Sequence, residues 1–210
     1  MGTDTEQPTI SGPGWSTILT GVFANKHLVR NNQFTESSFQ DYPHFFERLK
    51  ESHTDAWLGS IVEWGGIDRG IVAPSADFID LRSVPDTDEG VAIEAAELLR
   101  TQNPDVLFTH FIGPDGYGHS TGYDPDHPSY QYAINITDRR VGIVMDALNA
   151  RPGVKDGSED WLTIVISDHG GMDIYHGGQS IHEKHVPFIV SGKNVPQGLQ
   201  LSPGPYQTAV

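Results

Sequence analysis

Two short, glycine-rich segments of the chain group carboxylates with imidazoles. Asp115 and His119 stand four residues apart in one; in the other, Asp168 and His169 follow an apolar run and His176 comes seven residues later. Asp and His are the ligands expected for zinc and similar divalent ions. Glycines let the backbone fold tightly, so these side chains can converge. The five would fill most of a two-metal site, in which ions ~4 Å apart clamp the attacking and leaving oxygens of a displacement.

A candidate nucleophile lies near the start of the chain. Ser11 and Gly12 precede a short helix predicted at residues 16–21, after a turn-rich opening. A hydroxyl and free backbone N–H groups at a helix N-terminus form a natural anion site. The ordinary alternative is that Ser11 is only the N-cap of this helix.

The predicted elements place these residues at the ends of strands. The helix at residues 129–148 is long and amphipathic, and Asp115 and His119 fall in a glycine-rich turn after the second strand. Alternating strands and helices predict an α/β fold with a mainly parallel sheet covered on both faces, in which ligands collect at the carboxyl ends of the strands. The strands are predicted at residues 56–62, 105–112, 162–167 and 186–191, and the other helices at 41–51 and 88–102.

Length and charge narrow the range of functions. The 210 residues are enough for one domain, which we assign to residues 1–210, and a net charge of −15 argues against binding to nucleic acid or to an anionic membrane. No apolar run is long enough for a transmembrane segment. If the substrate is a small anion, bound cations could attract it in place of Lys and Arg. The sequence assigns neither a compartment nor an oligomeric state.

Taken together, the motifs resemble those of the alkaline phosphatase superfamily. The closest branch is the type I phosphodiesterase/nucleotide pyrophosphatase group, with phosphonoacetate hydrolase-like enzymes nearby. The resemblance runs from about residue 8 to residue 191, with the motifs in family order. It implies a three-layer α/β/α sandwich around a mainly parallel central sheet. The motifs that carry it are residues 11–21, 114–119, 167–171 and 176–178.

The resemblance also implies a role for each ligand candidate. Asp115, His119 and His176 match the ligands of one metal ion, and Asp168 and His169 match two ligands of a second. The implied cofactors are two divalent ions, with zinc the first choice and manganese the second.

The same resemblance assigns the residues that would act on a substrate. Ser11 stands where the family has its nucleophilic Thr or Ser. Asn32 falls where this branch has an Asn that binds a phosphoryl oxygen, together with the backbone N–H of Gly12. The implied activity is hydrolysis of a small phosphate or phosphonate ester, with phosphodiesters and nucleotide pyrophosphates favoured, through a phosphoenzyme formed on Ser11.

Two features depart from the family pattern. The second metal site of the family also uses an Asp at the end of a strand before the nucleophile, and here that strand is absent; Asp4 lies in a polar segment and is not expected to replace it. We therefore expect a chain truncated at this N-terminal strand and at its C-terminus, with the second site one ligand short. The glycine pair after His169 is a minor change.

Other residues compete for these roles or have simpler explanations. His182 and His185 could replace His176 as a ligand, although their segment is expected to lead into a strand. His110 is expected to pack inside a strand. The remaining histidines, His27, His44, His53 and His127, are expected at the surface or at helix ends. The aromatic residues Trp15, Trp64, Tyr117 and Tyr123 could line a substrate pocket or belong to the core or rim.

Three alternative functions compete with the metal-dependent phosphoesterase. A sulfatase would need Arg at the position of Trp15, and a metal-independent serine hydrolase would need a Gly-x-Ser-x-Gly elbow that the sequence lacks. The third alternative is a truncated, non-catalytic metal-binding or interaction domain, which the absent N-terminal Asp keeps open.

Overall fold

The computed structural model describes residues 7–200, and its centre is a parallel sheet. Strands β1 (Leu58–Val62), β2 (Leu81–Ser83) and β3 (Val106–His110) are arranged in the order β2-β1-β3. The helices are α1 (Ser11–Thr20), α2 (Ala24–His27), α3 (Phe45–Ser52), α4 (Gly65–Ile67), α5 (Asp88–Thr101), α6 (Gly113–Thr121), α7 (Pro128–Ala150), α8 (Pro152–Asp156) and α9 (Ile181–Lys184). A π-helical turn (Asp68–Val72) and a 3-10 helix (Ala73–Phe78) follow α4.

Helices cover both faces of this sheet. Side chains alternate along each strand, so Val62 and Phe108 pack against α1 on one face. Ile61 and Leu107 pack against α5 and α7 on the other. The predicted three-layer α/β/α architecture is therefore confirmed, with the hydrophobic core divided between the two faces.

The two remaining strands form a separate antiparallel pair. Strand β4 (Thr163–Ile166) pairs with β5 (Phe188–Ser191), and within residues 7–200 neither is hydrogen-bonded to β3. The expectation of parallel strands is wrong for this pair. The chain reverses between residues 167 and 187 without a long crossover helix, and a strand that returns in this way runs antiparallel to its partner.

Two segments predicted as loops are helical. Helix α1 begins at Ser11 instead of residue 16, because Pro13 is tolerated in the first turn of a helix. Residues 113–121 form α6 instead of a glycine-rich turn, and Pro114 again lies in the first turn. Within residues 7–200, no helix is both long enough and apolar enough to cross a lipid bilayer.

Candidate metal centre and nucleophile

The N-terminus of α1 brings Ser11 against the loop after β4. Gly14 makes this possible, since a Cβ at that position would lie 2.8 Å from the carbonyl oxygen of Asp168. Ser11 Oγ lies 3.2 Å from Nε2 of His169. The candidate nucleophile therefore sits beside the Asp168–His169 pair, as the resemblance implied.

Helix α6 holds Asp115 and His119 on one face. Residues four apart on a helix are neighbours, and His119 Nε2 is 3.7 Å from Asp115 Oδ2. The other ring nitrogen of His119, Nδ1, is 3.0 Å from the carbonyl oxygen of Ile174. The four-residue spacing of Asp115 and His119, which suggested a ligand pair in a turn, thus brings the two side chains together on a helix.

His176 completes a group of three with this pair. Its Nε2 lies 3.1 Å from His119 Nε2 and 3.8 Å from Asp115 Oδ1. Its Nδ1 is 2.8 Å from the carbonyl oxygen of Thr9. Separations of 3–4 Å between donor atoms are those of ligands that share one ion at about 2 Å each.

His169 joins this group to Asp168. Its ring stacks on that of His176 with 3.8 Å between centroids, and one ligand atom each from Asp115, His169 and His176 lie within 4.8 Å of one another. His169 Nε2 is 3.4 Å from Asp168 Oδ2. The five predicted ligands are therefore contiguous.

Backbone carbonyls determine which ring nitrogen faces the centre. The Nδ1 atoms of His119, His169 and His176 each lie within 3.0 Å of a carbonyl oxygen, which requires a proton on Nδ1. In the neutral rings, all three Nε2 atoms then present lone pairs to the centre. Two lone pairs 3.1 Å apart repel each other unless a cation or a proton lies between them. This donor set fits a divalent cation, and the carbonyl contacts are those that orient metal-ligating histidines.

Asp168 supports the same interpretation. Its side chain is 12% exposed, and within the described residues its buried Oδ2 has no hydrogen-bond partner. Burial, together with the nearby Asp115 carboxylate, raises the pKa of Asp168 to about 7. Burial also lowers the pKa of His169 and of His176. An anion that is costly to desolvate beside neutral imidazoles matches a position for a metal ion.

Asn32 and Gly12 contact each other. The backbone N–H of Gly12 donates to Asn32 Oδ1 at 2.7 Å, so the amide is oriented with Nδ2 as its donor group. The structure thus places the two residues together, while their predicted joint binding of a phosphoryl oxygen stays a prediction.

The competing histidines are not part of the centre. His182 and His185 are exposed, lie at α9 just before β5, and are absent from the one metal-ligand cluster found within residues 7–200. Asp4 lies outside the described residues.

Three residues that support the centre were not identified from the sequence. Thr9 Oγ1 donates to the carbonyl oxygen of Gly178 and accepts from the N–H of Gly177. Glu183 accepts from the N–H groups of Gly178 and Ser180. Asp88 accepts from the N–H groups of Ile112 and Gly113 at the start of α6. Of these only Glu183 had a signal, because Ser180 and Glu183 have capping-box spacing.

Known proteins resemble this chain in sequence. A family model described as type I phosphodiesterase / nucleotide pyrophosphatase matches residues 56–188. GPI ethanolamine phosphate transferase 3 of Schizosaccharomyces pombe is 30% identical over 165 residues, covering 69% of this chain and 17% of that protein. The 2,3-bisphosphoglycerate-independent phosphoglycerate mutase of Natronomonas pharaonis is 28% identical over 153 residues, covering 68% of this chain and 28% of that protein. The chain thus spans less than a third of either relative.

Solved structures resemble it in fold. Murine ectonucleotide pyrophosphatase / phosphodiesterase 5, an inactive variant in complex with AMP, superposes with a TM-score of 0.53 at 22% identity, over 80% of this chain and 48% of that chain. A sulfatase-like protein from Bacteroides thetaiotaomicron gives 0.62 at 14% identity, over 90% and 56%. At these identities the likeness shows the fold alone.

Proposed function

Because the chain belongs to the type I phosphodiesterase / nucleotide pyrophosphatase family, we propose that it hydrolyses small phosphate or phosphonate esters, with phosphodiesters or nucleotide pyrophosphates as the favoured substrates. The observation that carries this proposal is the position of Ser11. Its hydroxyl lies 3.2 Å from His169 Nε2, at the edge of a cluster of Asp and His ligands. A nucleophile beside such a cluster is the arrangement that metal-assisted phosphoryl transfer requires.

The proposed cofactors are two divalent ions, zinc first and manganese second. Asp115, His119 and His176 would hold one ion; Asp168 and His169, beside Ser11, would hold the other. Bound cations would neutralise charge on the phosphoryl oxygens and lower the pKa of the Ser11 hydroxyl. The imidazole-rich donor set favours zinc over magnesium or calcium, which prefer oxygen ligands.

The residues of the chain have separate roles in the proposed reaction. Ser11 Oγ attacks phosphorus in line as the P–O bond to the leaving group breaks. The seryl phosphate ester that forms keeps the second ester group of a diester and is then hydrolysed by water. Asn32 Nδ2 donates to a non-bridging oxygen, with its amide oriented by the Gly12 N–H. The N-terminal end of α1 adds a partial positive charge where negative charge develops.

The test is the substitution Ser11→Ala, assayed on an aryl phosphodiester with added zinc or manganese. We expect turnover to fall by at least about 10³-fold, the scale of loss when a nucleophile is removed, while bound metal stays unchanged by elemental analysis. Ser52→Ala, at an exposed hydroxyl at the end of α3, is the control. Undiminished hydrolysis by Ser11→Ala would refute the nucleophile assignment. One ion or none, without turnover by the unchanged protein, would support the non-catalytic alternative.

A second candidate, phosphoryl transfer to an alcohol, is favoured by the resemblance to the S. pombe transferase. The same seryl phosphate ester would then be resolved by a hydroxyl group instead of water. Adding an amino alcohol to the phosphodiester assay separates the two functions. A transferase would form a new phosphodiester of the added alcohol in excess of the phosphate monoester that hydrolysis releases, whereas a hydrolase would not.

A further inference from the structure

Tyr123 lies between the two segments that supply the candidate ligands. Its ring is packed against both Gly118 of α6 and Gly171 of the loop after β4. A Cβ at either glycine would overlap the ring. The backbone N–H of Tyr123 also donates to the carbonyl oxygen of Asp173 at 2.7 Å. One side chain thus fills the space between α6 and this loop.

The polar end of the same side chain reaches a candidate ligand. The Tyr123 hydroxyl donates to Asp115 Oδ1. This contact restrains the carboxylate and leaves Oδ2 directed toward His119, 3.7 Å away.

The ring of Tyr123 also stands edge-on to two imidazoles. Its centroid is 5.7 Å from that of His119 and 6.2 Å from that of His176, with interplanar angles of 79° and 86°. His119 belongs to α6 and His176 to the loop. The side chain therefore touches ligands from both segments as well as the glycines that bring these segments together.

We propose that Tyr123 is a positioning residue: its hydroxyl orients Asp115, and its ring sets the distance between α6 and the loop that carries Asp168, His169 and His176. The inference rests on the proposed metal centre. Partners of this kind fix the orientation and basicity of metal ligands. A loop ligand has no helix of its own to hold it, so a rigid aromatic spacer supplies the missing constraint. The candidacy of Tyr123 for lining a substrate pocket is thereby replaced by a structural role at the centre.

The hydroxyl is tested by Tyr123→Phe, which keeps the ring and removes one hydrogen bond. Zinc affinity is measured on the full chain by competition with a chromogenic chelator. We expect affinity to fall about 10- to 100-fold, with the melting temperature of the metal-free protein nearly unchanged. Tyr132→Phe, at an exposed tyrosine of α7, is the matched control and should bind zinc as the unchanged protein does. Equal zinc affinity in Tyr123→Phe and the control would overturn the role of the hydroxyl.

The ring is tested by a double-mutant cycle between Tyr123 and Gly171. Gly171→Ala alone should lower the melting temperature of the metal-free protein, because the added methyl group overlaps the ring. Combining it with Tyr123→Leu should recover much of that loss, since the smaller side chain makes room, while zinc affinity stays weak. Residues in contact show such coupling, and independent residues give additive changes. Additive melting temperatures would overturn the spacer role.

These measurements separate this inference from the proposed function. Zinc binding that depends on Tyr123, in a protein that hydrolyses no phosphodiester, would refute the proposed activity and keep the positioning role. Turnover that depends on Ser11, with zinc affinity independent of Tyr123, would support the proposed activity and refute the positioning role. Binding of neither zinc nor manganese by the unchanged protein would overturn both.

Discussion

The candidate centre is assembled from a helix and a loop. On α6, Asp115 and His119 are separated by one turn, and the helical hydrogen bonds hold both in register. On the other side, Asp168, His169 and His176 lie in a segment between β4 and α9 that has no regular structure except one isolated bridge. Their orientation comes from carbonyl oxygens and from distant residues such as Thr9.

The helix side and the loop side differ in what holds each candidate ligand in place. A helix places two ligands on one face by its own geometry and needs to be docked only as a unit. A loop lacks the repeating hydrogen bonds of a helix, so each of its ligands depends on hydrogen bonds to residues elsewhere in the chain. Substitutions away from the ligands should therefore disturb the loop side more than the α6 side, and three predictions follow that comparison.

The largest difference in the free energy of unfolding is expected between Gly170→Ala and Gly116→Ala. A Cβ at Gly170 would overlap the carbonyl oxygen of His182, whereas a Cβ at Gly116 meets no atom within 4 Å. We expect Gly170→Ala to lower the free energy of unfolding by about 3 kcal/mol, the upper end of overpacking costs. Gly116→Ala, in the interior of α6, should raise it by up to about 1 kcal/mol. Chemical denaturation measures both values. Equal effects would mean that the loop adapts as easily as the helix.

A smaller difference, in zinc affinity, is expected between substitutions of two buried carboxylates. Glu183 accepts two backbone N–H groups on the loop side, and Asp88 accepts two at the start of α6. Either Glu183→Gln or Asp88→Asn should cost about 2 kcal/mol of stability, as expected for hydrogen bonds to charged groups. Zinc affinity should distinguish them.

Glu183→Gln should weaken zinc binding more than Asp88→Asn does. The first releases the segment next to His176, while the second leaves Asp115 and His119 in register on their helix. Calorimetric titration of each metal-free variant with zinc gives the two affinities. A greater loss in Asp88→Asn would reverse the comparison, and α6 would then be the more dependent side.

The smallest expected effect is on the pH dependence of the stability of the whole protein, which both regions share. His27 is fully buried, its Nδ1 accepts from the N–H of Val29, and its Nε2 contacts Thr17 Oγ1 on α1. Burial lowers its pKa from 6.5 to about 4. Between these values the unfolded chain binds more protons, so the stabilisation is complete above about pH 6.5 and is lost as the pH falls toward 4.

This titration should cost about 1 kcal/mol of stability between pH 7 and pH 5.5. His27→Gln should remove that part of the slope while leaving the difference between Glu183→Gln and Asp88→Asn intact. Denaturation curves at the two pH values measure it. An unchanged slope in His27→Gln would assign this pH dependence to other groups.

Sequence patterns singled out the candidate ligands because the relevant spacings are local. An i, i+4 pair meets on a helix as well as in a turn, so Asp115 and His119 were identified although α6 was mistaken for a loop. The pair Asp168–His169 was marked by the apolar strand that it ends. His176 was singled out by its spacing after that pair, and Ser11 by its place before a predicted helix, but their assigned roles rested on the order of motifs in the whole chain.

Sequence reasoning placed two histidines correctly at helix ends but did not predict their burial. His27 and His44 were expected at the surface or at helix ends, but both are buried, with exposures of 0% and 1%. Each does lie at a helix end, His27 as the last residue of α2 and His44 as the N-cap of α3. Helix ends can be read from local patterns, whereas burial depends on what the rest of the chain places over them.

The sequence by itself determined the α/β architecture, the family and the types of donor at the centre, because strand and helix periodicity and ligand chemistry are written in neighbouring residues. Only the tertiary structure decided that the Nδ1 atoms face carbonyl oxygens, that β4 and β5 run antiparallel, and that Tyr123 fills the space between α6 and the loop. These depend on contacts across the chain, such as the one between His176 and Thr9, 167 positions apart, which no local pattern encodes.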